Sequence, residues 1–536
     1  MTYFFTLCFA LNCVAQVTFN SSQIPVIEII TKNNPIQENG KVLASMRVFD
    51  RKDGLENKLS DTPTFTTTIG IEYRGQTSFF LSDKKPFNVE IRNQDGTLEV
   101  EAPLLGLPKD SDWAFLAPYS DKTLVREAFM YRVAQQMLPF SPRFRFVEII
   151  LNGAYIGIYM VTDKMNRGKN RIDVDKMETI DIAGDELTGG YIFALDKTKQ
   201  GDKFFYSSVP YPVVGGRKPE YVIVYPKAKN LQTAQKNYIT SWVHKFESMM
   251  SKSTFSDPLT GYETYLDVPS FVDYVLLQEL SKNVDGYRLS NYFAKDKDSK
   301  NPKMRVASIW DFNIAMDNAN YCSKHPYKGW AYDFNVQCPD DNWLIHGWML
   351  KILADQKFKL LLKKRWQTLR QTTLTEPRLM ATIDSLSNTI GTDAVARNFK
   401  KYPILNQLVW PNPSQYGTHF GEVKYLKLWL RDRILWLDAA FATITDTILP
   451  DIEKKIALYP NPVENSINID FSTIYNGSEV TFLVYNTQGQ LVLQSSKFYN
   501  TIGTQYMNID CAQLPKGIYF YQLKATGNDR SGKFVK

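Results

Sequence analysis

The pattern of apolar and polar residues changes character twice, near residue 230 and again near residue 450. Before residue 230, β-branched and alternating stretches predict strands at 24–31, 44–50, 64–73, 87–91, 145–151 and 157–162. Asn152-Gly153, a dipeptide typical of a two-residue hairpin turn, joins the last two. A helix is predicted from Asp121, as its N-cap, to about Met137. The first part of the chain is therefore predicted to be mostly β.

After residue 230 the apolar residues recur at helical spacing, which predicts helices at 232–250, 268–282, 344–372 and 420–446. A linker is predicted at 447–455, where Leu449-Pro450-Asp451 ends the helical pattern. Beyond it, strands are predicted at 466–471, 480–485, 490–493, 517–524 and 532–536. The predicted fold class is α+β: a two-lobed domain over 22–446, with a β-rich N-lobe and a helical C-lobe, followed by a small all-β sandwich over 456–536.

Composition is that of a globular chain and changes this picture little. Its 536 residues are too many for one ordinary core, and 44% of them are hydrophobic. The net charge of +7 comes from 63 basic and 56 acidic residues, and the basic runs are short, so no nucleic-acid partner is expected. Residues 1–16 carry an apolar run that predicts a secretory signal peptide. Beyond it no apolar stretch is long enough to predict a transmembrane segment.

The cysteines after the signal bear on this prediction of export. Cys322 and Cys338 lie in one loop-like segment, and an exported protein can oxidise its thiols, so a disulfide between them is expected. A zinc site with His325 or His346 is the alternative, but the segment lacks the CxxC spacing typical of such sites.

Asp285, Asn291 and Asp311 are the candidate chemistry of the chain. Phosphoryl transfer needs a carboxylate near the incoming hydroxyl and oxygen ligands that hold magnesium against the phosphates. A protein kinase supplies an Asp, an Asn five positions later, and then Asp-Phe-Gly. Here the Asn comes six positions later, and Asp311-Phe312-Asn313 has Asn313 in place of the Gly. Each residue has a local alternative: Asp285 in an Asp-Gly turn, Asn291 and Asp311 as caps beside strands.

Motifs around these residues resemble the CotH family of atypical kinases. They are Arg74-Gly75-Gln76-Thr77-Ser78 with Lys84-Lys85-Pro86-Phe87, Asp121-Lys122-Thr123-Leu124-Val125-Arg126, Leu151-Asn152-Gly153-Ala154-Tyr155-Ile156-Gly157-Ile158-Tyr159 leading into Asp163-Lys164, and Trp310-Asp311-Phe312-Asn313. The likeness covers about residues 25–440. The chain departs from the family at Asn313, where a second acid is usual, and at Asp163, where Glu is usual.

This resemblance implies an enzyme that transfers the γ-phosphoryl group of ATP, with Mg or Mn, to Ser or Thr of an unidentified protein. In that reading Asp285 is the catalytic carboxylate, and Asp311, Asn291 and Asn313 are metal ligands. Lys85 is the expected cation for the phosphates, with Arg74 and Lys84 close in sequence and Glu127 as its expected partner. The rival reading is a non-catalytic pseudokinase scaffold or adhesin that binds protein or glycan at the cell surface. A hydrolase that uses the same acids is a third.

The C-terminal stretch resembles the sorting domain of type IX secretion cargo. The matching elements are Leu458-Tyr459-Pro460-Asn461-Pro462, Val484-Tyr485-Asn486, Leu514-Pro515-Lys516-Gly517-Ile518-Tyr519 and the basic end from Lys533 to Lys536. This resemblance implies the type IX secretion machinery as a partner and export through the outer membrane of a Bacteroidetes-type bacterium. The product would be secreted or attached to the cell surface. The alternative is a sandwich that binds a ligand.

Overall fold

The computed structural model describes residues 17–75, 77–212, 216–445, 457–473, 478–499, 503–525 and 530–536. The predicted signal peptide and the predicted linker at 447–455 lie outside these ranges. The strands before the tail are β1 Val26–Ile30, β2 Val42–Phe49, β3 Phe65–Tyr73, β4 Phe87–Arg92, β5 Ala102–Leu104, β6 Leu107–Asp110, β7 Asp112–Leu116, β8 Phe144–Leu151, β9 Ala154–Asp163, β10 Tyr191–Leu195, β11 Phe204–Tyr206, β12 Glu220–Tyr225, β13 Asn291–Lys295 and β14 Met304–Ser308. The helices are α1 Thr77–Leu81, α2 Arg126–Ala134, α3 Gly184–Thr188, α4 Thr233–Ser251, α5 Val268–Ser281, α6 Phe334–Gln337, α7 Gly347–Ala354, α8 Gln356–Arg370, α9 Glu376–Ile390, α10 Thr392–Lys401 and α11 His419–Ala442, with short 3-10 helices at Tyr262–Thr264 and Ala331–Asp333.

A closed β-barrel forms the N-terminal part, with strand order β1-β2-β3-β4-β7-β9-β8. Strand β8 returns to β1 in parallel, and every other neighbouring pair in the barrel is antiparallel. Alternate residues of these strands fill the interior, where Ile29, Ile69 and Trp113 are fully buried. The hairpin at Asn152-Gly153 is confirmed, because both residues have positive φ angles (49° and 79°), as a tight β-hairpin turn requires.

The chain after the barrel contains a sheet as well as helices. The strand order of this second sheet is β11-β12-β10-β13-β14, and all neighbouring strands in it are antiparallel. Strands β11 and β12 were not predicted from the sequence, and β11 is only three residues long. Helices and strands together confirm the α+β class, and the part of the chain after the barrel combines helices with a five-stranded sheet.

Two helices differ from the sequence prediction for local reasons. Helix α2 begins at Arg126 rather than at Asp121, because residues 121–125 form a turn in which Leu124 has a φ of +64°. The predicted helix over 344–372 is two helices, α7 and α8. Asp355 is extended between them, and its side chain accepts a hydrogen bond from the Phe358 N–H as the N-cap of α8.

The tail is all β. Its strands are β15 Ala457–Tyr459, β16 Ser466–Thr473, β17 Ser478–Tyr485, β18 Leu491–Tyr499, β19 Gly503–Asp510, β20 Ile518–Ala525 and β21 Arg530–Val535. They form two sheets, β15-β16-β19 and β18-β17-β20-β21, around a separate apolar core that includes Ile467, Phe482 and Cys511. Strand β19 was missed by the sequence reading. Among the described residues of the whole chain, no helix is long and apolar enough to cross a membrane.

Candidate active site

A cavity of about 440 Å³ lies between the barrel and the second sheet. Its barrel side is mainly apolar and includes Pro86, Leu116 and Met160. Most of its charged groups lie on the other side, in loops that follow strands of the second sheet and helix α5, whereas Arg74 follows barrel strand β3. The predicted site residues that line it are Arg74, Asp285, Asp311 and Asn313. A pocket with one apolar wall and a few convergent polar groups is the usual form of a small-molecule site.

The backbone of Asp311 has an unusual conformation that hydrogen bonds from neighbouring segments hold in place. It follows strand β14 and has a φ of +68°, in the left-handed region that a non-glycine residue rarely adopts. Its N–H (3.1 Å) and that of Phe312 both donate to the carboxylate of Glu127. Its carbonyl accepts from Asn283 Nδ2 at 3.3 Å. These bonds fix the backbone and leave the Asp311 carboxylate directed to the cavity.

The electrostatic environment of Asp311 is strongly acidic. Burial, followed by the negative charges of Glu127, Asp285 and Asp196, raises the pKa of Asp311 to about 8. The guanidinium of Arg74 acts in the opposite direction. A carboxyl group among like charges holds its proton until a cation binds nearby, so this position favours a positively charged ligand.

Asp285 lies in the loop after helix α5, within the cavity. Asn283 Oδ1 accepts the Asp285 N–H at 3.2 Å, which shapes the turn. Arg288 Nη2 donates to Asp285 Oδ1 at 2.5 Å, and Arg288 Nη1 reaches Asp341 Oδ1 at 3.3 Å. The guanidinium of Arg288 also lies 4.0 Å from the ring centroid of Phe334. The Asp285 carboxylate is therefore held in one orientation by a nearly buried arginine.

Asn291 is placed away from the other candidates. It is buried, does not line the cavity, and its Oδ1 accepts a hydrogen bond from the Tyr274 hydroxyl. Asn291 begins strand β13 opposite Leu195 of β10, and the residue after Leu195 is Asp196, which does line the cavity. Sequence reasoning missed Asp196; the available signal was an acid directly after a buried strand.

Asp196 adds a further carboxylate to this side of the cavity. Ser290 Oγ donates to its Oδ2 at 3.3 Å, and burial raises its pKa. The next cations along the chain, Lys197 and Lys199, also line the cavity. The loop after β10 therefore supplies one carboxylate and two lysine ammonium groups to the site.

The candidate phosphate cations separate into one inside the cavity and two outside. Arg74 lines it, lies 5.1 Å above the Trp310 ring, and keeps a buried Nη1 atom that has no hydrogen-bond partner in the described part of the chain. Lys85 instead donates to the Phe79 carbonyl, and Lys84 is buried and donates to Asn398 Oδ1 at 2.9 Å. Burial lowers the pKa of Lys84 to about 7.

The partner predicted for Glu127 is corrected by these contacts. Glu127 was expected beside Lys85, but its carboxylate binds the backbone of Asp311 and Phe312. The reason is its place in the first turn of α2, which faces the loop after β14 rather than the segment that holds Lys85.

The oxygen ligands suit magnesium or manganese in type but do not form a closed cage. Carboxylates of Asp311 and Asp196 and the amide of Asn313 are hard oxygen donors. The pKa of Asp311 is raised by burial and then by neighbouring negative charges, and a bound cation would offset those charges. Within the described ranges, no three His, Cys, Asp or Glu side chains are close enough to hold a metal ion by themselves. Magnesium commonly binds through one or two carboxylates with water and substrate phosphates, and the site fits that mode.

A disulfide lies beside the cavity. Cys322 and Cys338 are bonded, with their Cα atoms 5.5 Å apart. Tyr321, next to the first cysteine, and Asp341 and Trp343, shortly after the second, line the cavity. The bond thus ties together two parts of one wall.

Two families of known proteins match the chain. Residues 71–437 match the family described as CotH kinase protein, and residues 457–536 match the secretion system C-terminal sorting domain. No curated protein matches the chain. The sorting domain indicates export to the cell surface or the medium. Because the first match spans more than half of the sequence, the chain belongs to the CotH kinase protein family.

Proposed function

We propose that the protein is an exported kinase that transfers the γ-phosphoryl group of ATP, with Mg or Mn, to a Ser or Thr hydroxyl of a protein. In this proposal residues 22–446 form a two-lobed, kinase-like domain. The barrel acts as the N-lobe, and the second sheet with its helices acts as the C-lobe. The nucleotide occupies the cavity between them.

The observation that carries the proposal is the content of that cavity. Asp285, Asp311, Asn313 and Arg74 all line it, although they come from distant parts of the sequence. Among the described residues the buried Nη1 of Arg74 has no acceptor, and such a donor is costly unless an anion binds it. A phosphate group beside the carboxylates is the anion that the proposed reaction supplies.

The roles follow from the positions of the side chains. Asp285 orients the acceptor hydroxyl and takes its proton as the oxygen bonds to the γ-phosphorus and the bond to the bridging oxygen of ADP breaks. Asp311 and Asn313, with Asp196, would hold the metal ion, which neutralises charge on the phosphates when it is bound. Arg74 binds phosphate oxygens, the task first expected of Lys85.

Phosphate transfer from labelled ATP by the full chain tests this function. The acceptors are the protein itself and a basic Ser-rich protein, with Mg or Mn present. We expect incorporation by the parent and its loss in Asp285→Ala and in Asp311→Ala. Asp53→Ala, which removes an exposed acid that does not line the cavity, should keep activity. Incorporation that survives both cavity variants would reject the assigned roles.

The second candidate is a pseudokinase scaffold at the cell surface, and one observation favours it. Asp285 is already paired with Arg288, which competes with an acceptor hydroxyl for the carboxylate. A scaffold predicts no metal-dependent binding of ATP. Calorimetry with ATP, with and without Mn²⁺, separates the two, because a kinase requires binding that disappears in Asp311→Ala.

A further inference from the structure

We propose that Glu127, which itself lines the cavity, is a positioning residue of the site: it holds the loop that presents Asp311, and its effect on the metal ion is exerted through that residue. The inference rests on the proposed function, because it gives Asp311 a task at a metal ion. Glu127 and Asp311 are 184 positions apart in the sequence. The contact therefore joins helix α2, next to the barrel, to the loop that follows β14.

The first step of the argument is the geometry at Glu127. One carboxylate oxygen accepts the N–H of Asp311 at 3.1 Å, and the other accepts the N–H of Phe312. A carboxylate is the side chain that can accept two adjacent backbone N–H groups with both of its oxygens. Burial raises the pKa of Glu127, and the two backbone N–H donors act in the opposite direction because they stabilise its ionised form.

The second step is the support behind Glu127. Helix α2 starts one residue earlier, at Arg126, and Asp121 accepts both the Arg126 N–H at 2.9 Å and its Nη1 at 2.6 Å. Asp121 and Arg126 are both buried. These bonds hold the first turn of the helix in place, and with it the position from which Glu127 contacts the loop.

The third step is the rest of the loop. The Asp311 carbonyl accepts from Asn283, and the Asn313 carbonyl accepts from Asn318 Nδ2 at 2.7 Å. With Glu127 on the N–H groups and the two asparagines on the carbonyls, the backbone has partners on both sides. The left-handed φ of Asp311 is maintained by these bonds, and the side chains of Asp311 and Asn313 remain for the cavity.

Two variants of the full chain test the proposal. Glu127→Gln keeps one acceptor but turns an N–H₂ group toward the second backbone N–H, and Glu127→Ala removes both acceptors. Glu148→Gln is the matched control: it neutralises another fully buried carboxylate, which is paired with Arg397 rather than with the loop. Any general effect of losing a buried charge appears in the control as well.

The first readout is hydrogen exchange of the peptide that contains Asp311 and Phe312. We expect exchange about tenfold faster in Glu127→Gln, since a hydrogen bond of about 1.4 kcal/mol is lost. The second readout is Mn²⁺ affinity in the presence of ATP, which we expect to fall about 10- to 100-fold, as for other residues that orient metal ligands. Glu148→Gln should leave both unchanged.

A double-mutant cycle decides whether Glu127 acts through Asp311. In an Asp311→Asn background, adding Glu127→Gln should weaken Mn²⁺ binding no further. An additional loss of similar size there, or unchanged exchange in Glu127→Ala, overturns the proposal. A parent protein that binds Mn²⁺ but transfers no phosphate rejects the kinase function and leaves this role intact. A parent that binds no Mn²⁺ rejects both.

Discussion

Asp311→Asn should stabilise the protein while it removes the negative charge of the proposed metal ligand. The pKa of Asp311 rises from 3.8 to about 8 in the folded chain, so the ionised carboxylate is disfavoured by folding. At about 1.4 kcal/mol per tenfold change in proton affinity, this cost has an upper bound of ~6 kcal/mol. An asparagine has nearly the same shape and carries no charge, so it escapes the cost.

The sign of the pH dependence follows from the raised pKa. Below pH 3.8 the carboxyl is protonated in both states and the substitution gains little. The gain grows as the pH rises, because only the unfolded state ionises freely, and it is constant above about pH 8. Neighbouring charges relax around the carboxylate, so we expect about half of the upper bound: about 1 kcal/mol at pH 5 and about 3 kcal/mol at pH 8.5.

Urea unfolding followed by tryptophan fluorescence measures this gain. All ten tryptophans lie at or before Trp436, so the signal reports the family domain and not the sorting tail. Asp53→Asn is the control, because a bond from Arg51 lowers the pKa of Asp53 to about 2 and its neutralisation should bring no gain. An Asp311→Asn protein that is less stable than the parent, or equally affected at both pH values, would refute the electrostatic reasoning.

Three further predictions follow from the site. Asp285→Asn should lower phosphate transfer by about 10²- to 10⁴-fold and keep ATP binding, as measured by calorimetry; equal loss of binding would contradict its role at the acceptor. Arg74→Ala should weaken ATP binding more than Lys85→Ala, because Lys85 is bonded to a carbonyl outside the cavity; the reverse order would restore Lys85 as the phosphate cation. Replacing Cys322 and Cys338 together by Ser should lower the free energy of unfolding, measured in urea, by about 3 kcal/mol, since the bond closes a loop with a separation of 16 residues; an unchanged free energy of unfolding would show that the bond adds no stability.

The sequence predicted local elements well where one pattern dominated. Six of the seven barrel strands and the long helices α4, α5 and α11 have strong periodicity, and their observed bounds differ from the predicted ones by a few residues; the barrel strand β7 was not predicted. The order of Asp285, Asp311 and Asn313 along the chain was readable from motifs, and the structure brings these residues to one cavity.

Contacts between distant segments could not be read in the same way. Asn291 was expected at the metal site but does not line the cavity, whereas Asp196, which was not predicted, does line it. Successive side chains of a strand point to opposite faces, and the sequence spacing alone does not say which face is the cavity. Lys84 and Lys85 lie in a family-like motif, yet their ammonium groups bond to Asn398 and Phe79. The contact of Glu127 with the loop after β14 depends on tertiary packing and leaves no sequence signal.

The disulfide between Cys322 and Cys338 has a consequence for how the protein matures. Reductants of the cytosol keep thiols reduced, so in the newly synthesised chain Cys322 and Cys338, beside this wall of the cavity, are not yet bonded. The bond forms only after the chain enters an oxidising compartment on its way out. The cross-linked cavity therefore forms only after the chain has left the cytosol, where ATP is abundant. Protein prepared in a reducing cytosol represents the earlier stage, and thiol titration before any assay tells which stage is being measured.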